Sequence, residues 1–125
     1  MALKFYPIKC SNGLPTKEVV EAFRERLPLC GELIQPGEYR SWWEENRPNF
    51  KDYVQRASVV YPEKASHIIE SVELKDGSLT AGIKLAKEIG SEPVFGLRGF
   101  CNHSVVDGVS VLDVVEIITF DLLAE

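Results

Sequence analysis

Hydrophobic and polar positions alternate most cleanly between residues 65 and 86. Ile68, Val72 and Leu74 alternate with polar neighbours, Asp76-Gly77 supplies a turn, and Leu79, Ala81, Ile83 and Leu85 continue the alternation beyond it. A period of two on both sides of an Asp-Gly pair predicts a β-hairpin with one buried face. The same alternation puts His67 on the face opposite Ile68, Val72 and Leu74, as a partly exposed strand histidine. Upstream, Leu3 to Lys9 reads as a short strand, and Ser11-Asn12-Gly13 has turn chemistry. Thr16 is placed to cap a helix that carries Val19, Val20, Phe23 and Leu27 on one face and is ended by Pro28. Cys30-Gly31 then opens the next segment. Downstream, Val94 to Gly99 predicts another strand, and Val109 to Leu123 one or two more. Val109, Val111, Val114, Val115, Ile117, Ile118 and Phe120 are too densely apolar for a solvated edge, and Cys101-Asn102-His103-Ser104 is read as part of a loop between strands.

The middle of the chain is less regular. Ser41-Trp42-Trp43-Glu44 fits a capping box, so a short helix is expected there, limited by Pro48 to about two turns. Asn49 is placed to cap a second short helix carrying Phe50, Tyr53 and Val54. Tandem tryptophans cannot both face one side of a short helix. The expectation is that one is buried and the other lies at a surface groove or interface, with plain core filling as the alternative. The order strand, helix, irregular helical segment, then mostly strands indicates an α+β fold. The predicted architecture is a single domain over residues 1–125, mostly antiparallel β-sheet or a small barrel, with one N-terminal helix and a short helical segment.

Composition narrows the function more than the fold. The chain has 125 residues, 45% of them hydrophobic and 26% charged. A chain of this size buries about two-thirds of its unfolded surface without needing disulfides or a metal. The net charge of −5, with no cluster of lysine or arginine, argues against a nucleic-acid partner. No run approaches the roughly 18 apolar residues of a membrane span, and Lys4, Pro7 and Lys9 interrupt any signal-peptide core. A soluble intracellular protein with no membrane partner is expected. Cys10, Cys30 and Cys101 form no CxxC pair and no zinc spacing, so reduced thiols, no metal and no cofactor are expected.

Candidate chemistry is sparse. His67 and His103 are the two histidines, and Cys101, His103, Ser104 and Asp107 fall close together in the chain. Sequence neighbours rarely converge on one reacting atom, because nucleophile, base and orienting group usually come from separate elements. No P-loop, GxGxxG, GxSxG, HExxH or EF-hand pattern is present.

Four segments nevertheless follow a specific order. Gly31-Glu32-Leu33-Ile34-Gln35-Pro36 resembles the Gly-Glu-Leu-x-His-Pro motif of prohead proteases, the serine proteases that mature the capsids of tailed phages. Ser66-His67-Ile68-Ile69-Glu70 to Gly82-Ile83-Lys84-Leu85 is similar to the hairpin that follows it there. Val94-Phe95-Gly96-Leu97-Arg98-Gly99 takes the place of the segment ending Ser-Ser-Arg-Gly. Ile117-Ile118-Thr119-Phe120-Asp121-Leu122-Leu123 matches a closing strand of the type hydrophobic-x-x-Phe-Asp-hydrophobic. The resemblance covers residues 30–123 or so, and implies a prohead-protease-like core.

It also implies a lost active site. The family's catalytic histidine falls on Gln35 and its serine pair on Gly96 and Leu97, leaving Arg98-Gly99 in a structural role. An amide has no basic pKa with which to activate a nucleophile, and neither glycine nor leucine can attack a carbonyl. The resemblance thus implies a pseudo-protease, acting as a non-catalytic phage structural protein that binds the major capsid protein or other virion proteins as a decoration or assembly protein. Its expected location is the virion capsid, and the host cytoplasm during assembly, with a homo-oligomer among the arrangements it allows. Trp42, Trp43, Phe50 and Tyr53 are the candidate interface, since aromatic anchors dominate interface energetics. The alternatives are an active or regulatory capsid-maturation protease, using Cys101 with His67 or else Cys30, and an unrelated small intracellular α+β binding module.

Overall fold

The computed structural model describes residues 3–10, 13–34, 55, 58–86 and 92–123. In chain order the elements are β1 (Leu3–Lys9), α1 (Lys17–Arg24), β2 (Leu29–Ile34), β3 (Ala65–Lys75), β4 (Ser78–Leu85), β5 (Val94–Val106) and β6 (Val109–Leu123). A short 3₁₀ turn over Pro62–Lys64 precedes β3. The strands close into a six-stranded barrel ordered β1-β4-β3-β2-β6-β5. The β1–β5 and β2–β6 contacts are parallel and the other four antiparallel. The α+β class and the small barrel are therefore observed. The helical segment expected around Trp42, Trp43, Phe50 and Tyr53 lies outside the described residues, as does Gln35.

Two Asp-Gly turns set the antiparallel pairing. Asp76 and Gly77 have φ of 52° and 74°, and Asp107 and Gly108 have φ of 51° and 77°. Two successive positive φ values form the tight turn whose twist suits a hairpin, and aspartate and glycine tolerate that region best. The first turn joins β3 to β4, as the alternation predicts. The second joins β5 to β6, and here the expectation is corrected. Residues 101–104 belong to β5, paired with residues 111–114, and Val109–Leu123 is one continuous strand. Strong turn chemistry at Asp107-Gly108 outweighs the polar run Asn102-His103-Ser104 that made the segment look like a loop.

The hairpin also corrects the placement of His67. Register slips between Ile69 and Ser71, so that His67 and Ile69 face inward first and Val72 faces inward after the slip. A bulge adds one residue and exchanges the two faces of a strand. His67 consequently shares the core face with Val72 and is 2% exposed, not partly solvated.

The core joins both halves of the barrel to the helix. Phe23, Ile69, Leu79, Ile83, Phe95, Ile117 and Phe120 are all buried in it. Phe23 packs on Phe120 with ring centroids 4.9 Å apart, and Tyr6 on Phe95 at 5.0 Å. Thr16 caps α1, its side chain accepting a hydrogen bond from the Val19 amide at 3.4 Å. The helix ends at Arg24, ahead of Pro28. Its seat follows from the shortness of β2, which pairs with β3 only as far as Leu29 and with β6 only at Leu33 and Ile34. Beyond β2, the neighbouring strands β3 and β6 are held by α1. Arg24 donates to the Val72 carbonyl at 2.9 and 3.2 Å, and Arg26 to the Ile117 carbonyl at 2.8 Å. The helix thus satisfies strand carbonyls that β2 does not reach.

Candidate functional site

Strand alternation places a charged residue beneath the same cover on each of three adjacent strands. On β2, Gly31 faces His67 in the interior, so Glu32 turns to the outer face. On β6, Phe120 is in the core, so Asp121 turns outward. On β5, Leu97 packs on the core and Arg98 turns outward. The backbone of residues 59–61 lies over them. Arg98 Nη2 donates to Glu32 Oε2 and to Asp121 Oδ1, each at 2.9 Å, and Nη1 donates to the Val59 carbonyl at 3.1 Å. The Tyr61 amide donates to Glu32 Oε2 at 3.3 Å, and the Glu32 amide to Asp121 Oδ1 at 3.3 Å.

Glu32 is 0% exposed and Asp121 3%. Burying two carboxylates is tolerated because one guanidinium and two backbone amides are directed at them. Burial still pushes the Asp121 carboxyl up to about 6, against the pull of Arg98. Thr119 ties the same strands together, its hydroxyl donating to the Cys30 carbonyl at 2.9 Å.

On the inner face, His67 Nε2 lies 2.6 Å from the Phe120 carbonyl and Nδ1 lies 2.7 Å from Ser66 Oγ. A carbonyl only accepts, so Nε2 carries the proton and Nδ1 accepts from the Ser66 hydroxyl. The ring meets Phe95 edge-on at 4.9 Å, and burial pushes its pKa down to about 4. His67 is therefore neutral near physiological pH. A Cβ on Gly31 would collide with His67 Nε2 and the Phe120 carbonyl, so only glycine fits there.

The expected site residues are distributed as follows. Gly96 pairs with Asp121 and Leu97 with Phe120, directly beside the charged cluster, and a Cβ on Gly96 would lie 3.1 Å from the Leu123 side chain. The thiols are not brought to His67. Cys101 is six strand positions beyond Phe95, the β5 residue that His67 meets, about 20 Å at 3.3 Å per residue. Cys30 is exposed on the face opposite the one where Gly31 meets His67. Among the described residues no group of three or more His, Cys, Asp or Glu side chains is placed to hold a metal ion.

Glu32, Asp121 and Ser66 carry no assigned role in the sequence reading. The signal that marks the two carboxylates is a lone charge inside an apolar strand, as in Phe120-Asp121-Leu122 and Gly31-Glu32-Leu33. Such a charge is buried only when paired. The partner's identity is a tertiary fact. In comparisons with known proteins, no family model matches the chain, and neither does a curated protein or a solved structure.

Proposed function

We propose that this chain is a non-catalytic structural protein of a phage particle, built on a prohead-protease-like core over about residues 30–123, and that it binds the capsid as a decoration or assembly protein. One observation carries the reading. Four segments far apart in sequence each contribute to one buried frame: Gly31 and Glu32, His67, Arg98, and Phe120 with Asp121. These are the letters that resemble the protease motifs. The positions where that family keeps its base and nucleophile hold Gln35, Gly96 and Leu97 instead. A frame retained while its reactive groups are replaced supports a role in binding and not in cleavage. The step from that frame to a capsid rests on the resemblance, since a fold by itself does not specify a function.

The test is quantitative mass spectrometry of purified particles. A copy number that scales with the major capsid protein supports a shell component. Presence in immature particles alone makes it an assembly factor, and absence from both overturns the proposal. Trp42→Ala and Trp43→Ala are expected to abolish capsid binding without changing the circular dichroism spectrum.

A protease reading draws on one feature, the hydrogen bond from Ser66 to His67. A buried imidazole with a pKa of about 4 is a weak base for activating a hydroxyl. Cleavage of capsid or scaffold protein that disappears in Ser66→Ala would establish it over the structural role.

A further inference from the structure

Charge is distributed unevenly along the chain. Residues 1–98 carry 14 acidic and 14 basic side chains, whereas residues 99–125 carry five acidic ones and neither lysine nor arginine. Residues 99–125 therefore account for the whole net charge of −5 along the sequence. Asp121 is the buried partner of Arg98, but Asp107, Asp113 and Glu116 are exposed.

The same region carries exposed apolar surface. Val105 is 64% exposed, Val106 55% and Val109 62%. Val106 and Val109 face each other across the strands at the tip. Cys101 and Val114 are the last cross-strand pair packed on the core. Beyond them five residues of each strand extend as a two-stranded ribbon of about 17 Å. Among the described residues, β1 pairs with β5 only at Phe95 and Gly96, and β2 with β6 only at Leu122 and Leu123. Barrel strands therefore flank neither edge of the ribbon. Exposed strand edges are usually guarded by lysine or proline, and Gly99 to Val106 contains neither.

We infer that the β5–β6 ribbon is a docking arm for another protein, whose receiving surface is an apolar groove rimmed by lysine and arginine. The valines supply the buried contact and the carboxylates set its sign, since the rest of the chain is balanced in charge. Phosphate backbones and anionic bilayers have the wrong sign for this arm. A second copy of the ribbon would set like charges side by side. The inference needs only the ribbon and its charge, and stands or falls separately from the capsid reading.

The test uses the full-length ¹⁵N-labelled protein and two synthetic peptides of equal length, one alternating lysine with valine and the other glutamate with valine. The lysine peptide is expected to shift amides of residues 102–113 and to bind at least tenfold tighter than the glutamate peptide. Val105→Ser, Val106→Ser and Val109→Ser together should weaken it at least tenfold, with the circular dichroism spectrum unchanged. Asp107→Asn, Asp113→Lys and Glu116→Lys together take these positions from negative to positive and should reverse the preference. Asparagine is chosen at 107 because φ there is 51°. The wild-type shift map decides the location even where a variant fails to fold. Shifts centred elsewhere, no binding, equal binding of both peptides, or full binding by the serine variant would overturn the inference. A ribbon-dependent dimer in sedimentation would replace the basic partner with a second copy.

Discussion

Arg98 is held between Glu32 and Asp121, and its removal leaves two buried carboxylates facing each other without a cation. Arg98→Met is expected to cost about 3–5 kcal/mol, the range for breaking a buried ion pair by deleting one partner. Arg98→Lys should recover only part of it, because one ammonium cannot reproduce a fork that reaches both carboxylates and the Val59 carbonyl. Urea unfolding of the two variants measures both. The pH dependence comes from two groups that act in opposite directions. Asp121 is raised from 3.8 to about 6, so its contribution is full below 3.8 and is lost as pH rises through 6. His67 is lowered from 6.5 to about 4, so its contribution is full above 6.5 and is lost as pH falls through 4. Between those limits the two offset each other. Asp121→Asn should leave the histidine loss unopposed, steepening the fall in stability from pH 6.5 to 4 by up to about 1.4 kcal/mol per pH unit. His67→Gln should tilt the same curve the other way, and identical slopes in wild type and both variants would contradict the assignment.

At the scale of elements, α1 replaces barrel strand pairing where β2 has ended. Phe23 enters the core against Phe120, while Arg24 and Arg26 bond carbonyls on β3 and β6. Phe23→Ala is expected to lose about 3–5 kcal/mol in urea unfolding, as for other buried phenylalanines. A loss below about 1 kcal/mol, the size expected for removing the Thr16 cap, would mean that the helix is a detachable appendage. The helix and its apolar face are legible from residues 16–27, because a 3.6-residue period and a cap are local signals. Its seat is not, since nothing nearby in sequence says that β2 is short relative to β3 and β6. The same division explains the hairpins. Asp76-Gly77 is read locally as a turn, and Asp107-Gly108 carries the same signal inside a segment that its polar neighbours made look like a loop, whereas the bulge at Ile69–Ser71 that turns His67 inward arises from pairing with β4.

For the whole molecule, closure links every barrel strand to two neighbours, but the ribbon extends past that closure. Amide hydrogen exchange should divide accordingly. Residues 67–72 and 117–122, in strands of the closed barrel, are expected to exchange only through global unfolding, while residues 102–106 and 109–113 exchange through local opening. Equal protection in the two regions of the free protein would mean that the ribbon is already covered. The run from Val109 to Phe120 looks uniformly core-forming in sequence, yet it divides here into an exposed half and a buried half. The apolar pattern alone does not report which residues have the barrel beneath them.

What the amino-acid sequence determines by itself is set by short-range chemistry: the turns at Asp76-Gly77 and Asp107-Gly108, the capped helix, the strand periodicity, and the uneven charge. What only the tertiary structure decided is which of these segments meet. Glu32, Arg98 and Asp121 are separated by 66 and 23 residues along the chain, yet one guanidinium nitrogen touches both carboxylates. Their shared burial follows from barrel closure, because three charges on three strands stabilise one another only after β5, β6 and β2 have been brought side by side.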